Sequence, residues 1–288
     1  GSKTSGSVDN AHIIITGGII KNGINAGGTA GAVTHAQITI TGGVIDGDIT
    51  KGNAQNADVI IQGSDANITG DVEADSLTLY NVQKNMAASV KSVKEITTAG
   101  NTNTAIAVGN GIELDTLHLN NGTTLSVLNT TDSTEIAIAA EASITLTELI
   151  VGAGATLNAN IIFAEEAFLR MEGALAMGSD ITLTTGMTLD LADHMLTDLY
   201  NGEYVTLFTG VDRLTLNSVE LDNDSVTDVT GIFNGLRADD TYYLSYNNGD
   251  VSLFAGSYEP APLSIPEPTT TTLSLLALAG LVARRRRS

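Results

Sequence analysis

The chain has 288 residues, 33 acidic and 13 basic side chains, and neither cysteine nor tryptophan. Without cysteine there is no disulfide framework and no thiolate site. Four of the bases are the consecutive Arg284, Arg285, Arg286 and Arg287, so the rest sets 33 acids against 9 bases, a charge that repels phosphate backbones and argues against nucleic acid as a partner.

Glycine, asparagine and threonine are plentiful, a mix that suits short strands and tight turns. The first ten residues, GSKTSGSVDN, hold no initiator Met, basic n-region or apolar h-region, so no signal peptide is visible there and an export signal has to be sought at the other end. An internal repeat follows at once. AHIIITGGIIKNGI from Ala11, AQITITGGVIDGDI from Ala36 and ADVIIQGSDANITGDV from Ala57 stack on one another, with a fainter copy, DSLTLYNV, from Asp75; the steps are 25, 21 and 18 residues. Each copy alternates apolar and polar residues, turns at Gly or Asn, and alternates again, which is a strand period. The theme returns in DTLHLNNGTTLSVL from Asp115, ASITLTELIVGAGATLNANII from Ala142 and SDITLTTGMTLDLAD from Ser179.

One such coil cannot bury its own Ile, Val and Leu, whereas stacked coils build a continuous apolar shaft. The expected fold class is therefore all-β: a parallel β-helix over residues 1–199, of about nine coils and roughly 40 Å at one strand spacing per coil. A β-sandwich of short strands is the alternative, disfavoured because unequal steps are easier in a solenoid, where insertions loop out. NVQKNMAASVKSVKEITTAG, from Asn81, breaks the pattern and reads as a short amphipathic helix or a long loop across the shaft; 139–142 and 163–177 are ambiguous.

From Tyr200 the texture is more aromatic. YVTLFTGVDRLTLNSVEL gives two alternating strands, and TYYLSYNNGDVSLFAG a hairpin with Asn248-Gly249 at its tip. Residues 200–256 are expected to form a β cap over the open end of the solenoid. Residues 257–265 are a Pro-rich linker, and 266–288 form a separate tail.

In that tail the uncharged run Leu273 to Ala283 follows four threonines and precedes the arginines. As a helix it is short for a bilayer, but the arginines would stay cytoplasmic and snorkel, which makes a marginal C-terminal transmembrane helix in the inner membrane with the acidic body outside. Pro266, Glu267 and Pro268, then an apolar helix, then Arg284–Arg287, resemble the PEP-CTERM sorting signal of Gram-negative bacteria. The resemblance implies an exosortase as partner, processing near Pro-Glu-Pro, with the apolar run as a transient anchor and the arginines as its stop. The product would go to the cell surface or the extracellular matrix. The body is also similar in texture to the β-solenoid passengers of autotransporter-type surface proteins.

The body offers little marked chemistry. His12, His35, His118 and His194 show no metal-ligand spacing, and His12 and His35, before equivalent strands, read as exposed polar residues rather than a stacked metal pair. Glu165-Glu166 and Asp239-Asp240 would point to opposite faces of a strand, poor geometry for acid and base. Asp222 to Asp228, DNDSVTD, lacks the glycine and glutamate of a calcium loop and reads as a solvated acidic loop. The glycine pairs at 17–18 and 42–43, and the run at 152–154, read as corners, having no βαβ context for a phosphate cradle. No catalytic residue, cofactor or metal site is expected. The reading is an exported non-enzymatic surface or matrix protein, an adhesin or structural stalk, with extracellular polysaccharide or glycans as partner. The alternatives are a secreted β-helix carbohydrate-active enzyme (a polysaccharide lyase or hydrolase), which would need a groove with close carboxylates or a Lys/Arg beside an Asp, and the C-terminal fragment of a larger surface protein.

Overall fold

Ala11 pairs with Ala36, Ala36 with Ala57, and Asp58 with Ser76 in one parallel sheet. The repeat read at steps of 25, 21 and 18 residues is thus the coil-to-coil register of a parallel β-solenoid. The computed structural model describes residues 8–27, 33–86, 89–109, 111–129 and 140–256. Within them the chain is nearly all β, a solenoid of about eight turns with one short helix.

Two long sheets face each other across the shaft. The first begins with Val8–Ile15, Val33–Ile40, Ala54–Gln62, Ser76–Tyr80 and Glu95–Ala99, and continues through Ile112–Leu119, Ser143–Val151 and Asn160–Met171. The second carries the return strands, from Ile24–Asn25 to Val205–Thr209. A three-stranded sheet (Ile19–Lys21, Gly43–Asp46, Ala66–Ile68) adds a third wall to the first coils.

Alternation turns every second side chain inward. On the first sheet Ile38, Val59, Leu77, Ile96, Leu117, Leu149, Leu169 and Leu189 form one in-register ladder, buried at every coil. On the facing sheet Ile49, Val72, Val90 and Val108 do the same. Each such side chain contributes about 1.5–3 kcal/mol relative to exposure. The four prolines all lie within 260–268, so no described ladder position lacks its N–H.

Corners are set by small residues. Gly43 has φ +97, and a Cβ there would come within 2.8 Å of Gly17 and Gly18 backbone atoms of the previous coil. Only glycine meets both demands.

In four places the structure departs from the sequence expectation or settles what it left ambiguous. Among its described residues the 81–100 stretch holds no helix and carries two strands of an ordinary coil, Ser89–Ser92 and Glu95–Ala99. Its inward residues Val82, Met86, Val90 and Val93 mimic a helical period because corners reset the strand alternation. Second, the helix Asp193–Tyr200 was not foreseen; it buries Met195 and Leu199. Third, 160–171 is a single long strand, Asn160–Met171, followed by Leu175–Ala176. Fourth, the solenoid has about eight turns where nine were expected. Leu117 pairs with Leu149, so 32 residues separate neighbouring rungs there, and Ala140–Glu141 pairs antiparallel with Leu128–Asn129.

Parallel stacking ends in a β cap. Val205–Thr209 pairs parallel with Leu175–Ala176 on one side and antiparallel with Asp250–Ala255 on the other. Tyr242–Asn247 and Ser225–Asp228 extend that antiparallel edge. Asn248 (φ 50) and Gly249 (φ 83) form the expected hairpin tip. The described residues up to Gly256 form one compact unit.

Candidate functional surface

The outward positions of the first sheet are as regular as the inward ones. His12, Gln37, Asp58, Ser76, Glu95, Thr116 and Glu148 occupy one in-register ladder on successive coils. From Asp58 onward, carboxylates alternate with hydroxyls: Asp58, Ser76, Glu95, Thr116, Glu148. Adjacent strands lie about 4.8 Å apart, so the carboxylates recur at roughly 10 Å. That exceeds the screening length of about 8 Å at physiological salt, so the repulsion that adjacent acids would suffer is largely avoided.

The intervening hydroxyls hold their neighbours. Ser76 Oγ donates to Asp58 Oδ1 at 2.6 Å, and Thr116 Oγ1 donates to Glu148 Oε2 at 3.0 Å. Asp58 also binds His35, Nε2 to Oδ2 at 2.6 Å. The carboxylate is the hub between His35 and Ser76, so the trio lacks the Ser–His contact of a nucleophilic triad. Beside this ladder runs a second, Thr39, Ile60, Thr78, Thr97, His118 and Ile150. Further along the same face Arg170 binds Asp190 at 2.6 Å and lies 5.7 Å from the Phe168 ring centroid.

A groove of about 330 Å³ opens at the corner that precedes this sheet, lined by Lys51, Glu73, Ala74, Asp75, Ser92 and Lys94. Lys51 Nζ reaches Asp75 at 2.7 Å, and the Ala57 N–H donates to the same carboxylate at 2.8 Å. Partial burial works to raise the Asp75 pKa, but the hydrogen bond from Lys51, the one from the Ala57 backbone and the charges of Lys51 and Lys94 outweigh it and hold the group below its usual value. Sequence reading missed this cluster, because Lys51, the corner holding Glu73 and Asp75, and Lys94 come from three successive coils and only the register brings them together.

A second recess, about 570 Å³, is lined by Glu165, Glu166, Thr184, Thr185, Gly186, Asn217 and Ser218. Here Glu165 and Glu166 were expected on opposite faces. They share the recess because Glu166 has φ 58 and the strand bulges, the pairing jumping from Leu146–Phe163 to Glu148–Phe168. Asp239 and Asp240 lie in a turn rather than a strand.

His12 partners Gln37, and His35 partners Asn10, so the two histidines are out of register and His35 is spent on Asp58. His118 lies half-buried on the outer face, and His194 is exposed on the helix. In the 222–228 segment, Asn223 Oδ1 accepts from the Asn248 N–H at 2.8 Å and Asp228 Oδ1 from the Thr230 N–H at 2.9 Å. Among the described residues no group of three or more His, Asp or Glu is placed to hold a metal ion. No described helix is long and apolar enough to cross a membrane.

Pro266, Glu267, Pro268, the run 273–283 and Arg284–Arg287 lie outside the described residues. Comparison with protein families matches residues 264–287 to the PEP-CTERM protein-sorting motif. The chain carries a PEP-CTERM sorting signal. This signal implies exosortase processing and export through the membrane to the cell surface or extracellular space. No curated protein and no solved structure matches the chain. The likeness to autotransporter passengers is therefore one of sequence texture.

Proposed function

We propose that the chain is a non-enzymatic surface or extracellular-matrix protein, an adhesin or structural stalk, whose outer β face makes weak multivalent contacts with extracellular polysaccharide. It is released to that location by an exosortase after the apolar run 273–283 has held it transiently in the inner membrane. The observation that carries the reading is the in-register ladder of Asp58, Ser76, Glu95, Thr116 and Glu148. Donor and acceptor groups on a rigid sheet need no ordering on binding, so each weak contact avoids that entropic cost. A carboxylate on every second coil has a spacing comparable to a disaccharide step of an extended polysaccharide, so successive contacts are made by one chain at high effective concentration. Divalent cations would bridge these carboxylates to acidic sugars. The test is a glycan array probed with and without calcium. Binding that weakens at least tenfold in the double variant Asp58→Ala/Glu95→Ala supports the reading, and no binding in either condition removes it.

The groove at Lys51 and Asp75 favours a second reading, a carbohydrate-active enzyme, since it places a lysine beside an aspartate. Asp75, however, is held ionised by Lys51 and the Ala57 N–H and has no proton to give near neutral pH. Release of reducing ends from the polysaccharides that bind, lost in Asp75→Asn, would decide for the enzyme.

A further inference from the structure

The connection from Ser225–Asp228 to Tyr242–Asn247 is pinned to the last coil of the solenoid. The Asn234 N–H donates to the Met187 carbonyl at 2.7 Å, the Leu189 N–H to the Asn234 carbonyl at 2.9 Å, and Asn234 Nδ2 to the Gly186 carbonyl at 2.9 Å. At Gly235, with φ +88, a Cβ would fall 2.2 Å from the Leu189 carbonyl oxygen, so only glycine lets the segment lie this close. The anchored segment lines a pocket of about 280 Å³, together with Tyr242. That is at the small end of ligand sites, room for one ring and not for an extended chain.

Three groups in this pocket are left uncommitted by the fold. The described arginines differ in their partners: Arg170 pairs with Asp190 and Arg213 with Asp180, whereas Arg237 pairs with no described carboxylate. Its guanidinium carbon stands instead 3.6 Å from the Tyr200 ring centroid. Stacking against a ring face fixes a guanidinium and leaves its in-plane N–H fork free. Asp240 lines the same pocket and forms no ion pair with Arg237 or with any other described base. Tyr242 is 3% exposed and its hydroxyl has no hydrogen-bond partner; Tyr200 and the Arg237 backbone approach it without meeting that geometry. Burial first, then Tyr200, with the Asp240 charge adding to them, raise its pKa above the ordinary tyrosine value, so it stays a donor. Folds as a rule pair their buried polar groups. An unpaired cation, an unpaired anion and an orphan donor around one opening are complementary to a molecule from outside the chain.

We propose that this cap pocket binds one carboxylated sugar ring, a hexuronate. Arg237 takes the carboxylate through two parallel N–H···O bonds. Asp240 accepts from ring hydroxyls, as does Asn234 Oδ1, its Nδ2 being spent on Gly186. The Tyr242 hydroxyl gains its missing partner from the innermost sugar oxygen. A phosphate fits less well, because its second negative charge meets Asp240 and it brings no hydroxyl donors for that carboxylate. The pocket is separate from the Asp58–Glu148 ladder and does not rest on the reading of that ladder.

The test is titration calorimetry of the full chain in mild detergent with free glucuronate. A single ring is shorter than the roughly 10 Å between carboxylates of the outer ladder, so the monosaccharide reads this pocket whatever a glycan array shows. One glucuronate should bind per chain, and methyl glucoside, the same ring without the carboxylate, should bind about tenfold more weakly or worse. Arg237→Lys keeps the charge but loses the fork and should weaken glucuronate about tenfold. Arg170→Lys, the same change at an arginine outside the pocket, should leave binding unchanged. Tyr242→Phe removes a hydroxyl that holds no internal bond, so it should weaken binding severalfold without lowering the melting temperature. Asp240→Asn should weaken glucuronate and strengthen inorganic phosphate, which a purely structural role would not do. Absence of glucuronate binding, phosphate or alanine bound more tightly than glucuronate by the wild-type chain, or binding indifferent to both Arg237→Lys and Tyr242→Phe would each overturn the proposal.

Discussion

Thr98 donates its hydroxyl proton to Thr123 at 2.7 Å inside the shaft, because the Thr123 proton is already committed to the Asn120 carbonyl at 2.7 Å. Both residues are fully buried, and Thr98 occupies an inward ladder position between Leu79 and Leu119. Direction makes the pair asymmetric. Thr123→Val strands a buried donor on Thr98 and should cost about 1–3 kcal/mol, whereas Thr98→Val removes a donor whose acceptor keeps its own bond and should cost about 1 kcal/mol or less. The double variant, with both sites apolar, should be more stable than Thr123→Val alone. Urea midpoints of the three proteins check the order.

Two carboxylates give opposite pH signatures. Asp75 is the depressed one, so its contribution to stability is complete above the ordinary aspartate value of 3.8 and is lost as pH falls through the lower folded value. Glu141 is raised, by burial first and then by the charges of Asp212 and Asp180, against a hydrogen bond from Ser179. Its contribution is complete below 4.5 and is lost as pH rises through the folded value. Glu141→Gln should therefore raise the melting temperature at pH 7 and leave it little changed at pH 4. Asp75→Asn should lower it at pH 7 and converge on wild type in strong acid. Thermal melts across pH 2–8 test both signs.

The tight turn Asn217-Ser218 joins Leu214–Leu216 to Val219–Leu221 with φ of 50 and 66, both left-handed. Asparagine tolerates that region and serine does so poorly. Ser218→Gly should stabilise the chain by about 0.5–1 kcal/mol, and Ser218→Val should destabilise it by more than that. Glu166, at φ 58, should respond to the same substitutions in the same directions. A response to Val no larger than that of an exposed strand position would mean that the bulge relaxes.

The register of the first four coils was legible because each copy keeps the same frame, an alanine or aspartate followed by alternating Ile, Val or Leu, up to a glycine corner. The Asn248-Gly249 hairpin was legible for a similar reason, its turn chemistry being local. What stayed hidden depends on where coils turn. Val82, Met86, Val90 and Val93 fall on successive walls and counterfeit a helical stripe, while the true helix, Asp193–Tyr200, buries only Met195 and Leu199 in eight residues. The alternation of acid and hydroxyl on the outer face was invisible for a further reason. Thr116 and Glu148 are 32 residues apart in sequence, and only the coil-to-coil register makes them neighbours.

The sorting signal yields the last prediction. Co-expressed with an exosortase in a Gram-negative host, the chain should lose mass at its C-terminus, ending close to Pro266–Pro268, and the product should leave the inner membrane. Without the exosortase it should keep all of 284–287 and remain membrane-bound through the run 273–283. Replacing Glu267 with alanine should give the second result even when the enzyme is present: the resemblance implies processing near Pro-Glu-Pro, which this variant alters, while the apolar run and its arginine stop are unchanged. Replacing all four arginines with serine separates the other function: processing becomes inefficient because the tail no longer stops at the cytoplasmic face. Intact mass and membrane fractionation of the four samples read both steps. A tail that stays whole in every one would make it a plain anchor, and the matrix reading would lose its support.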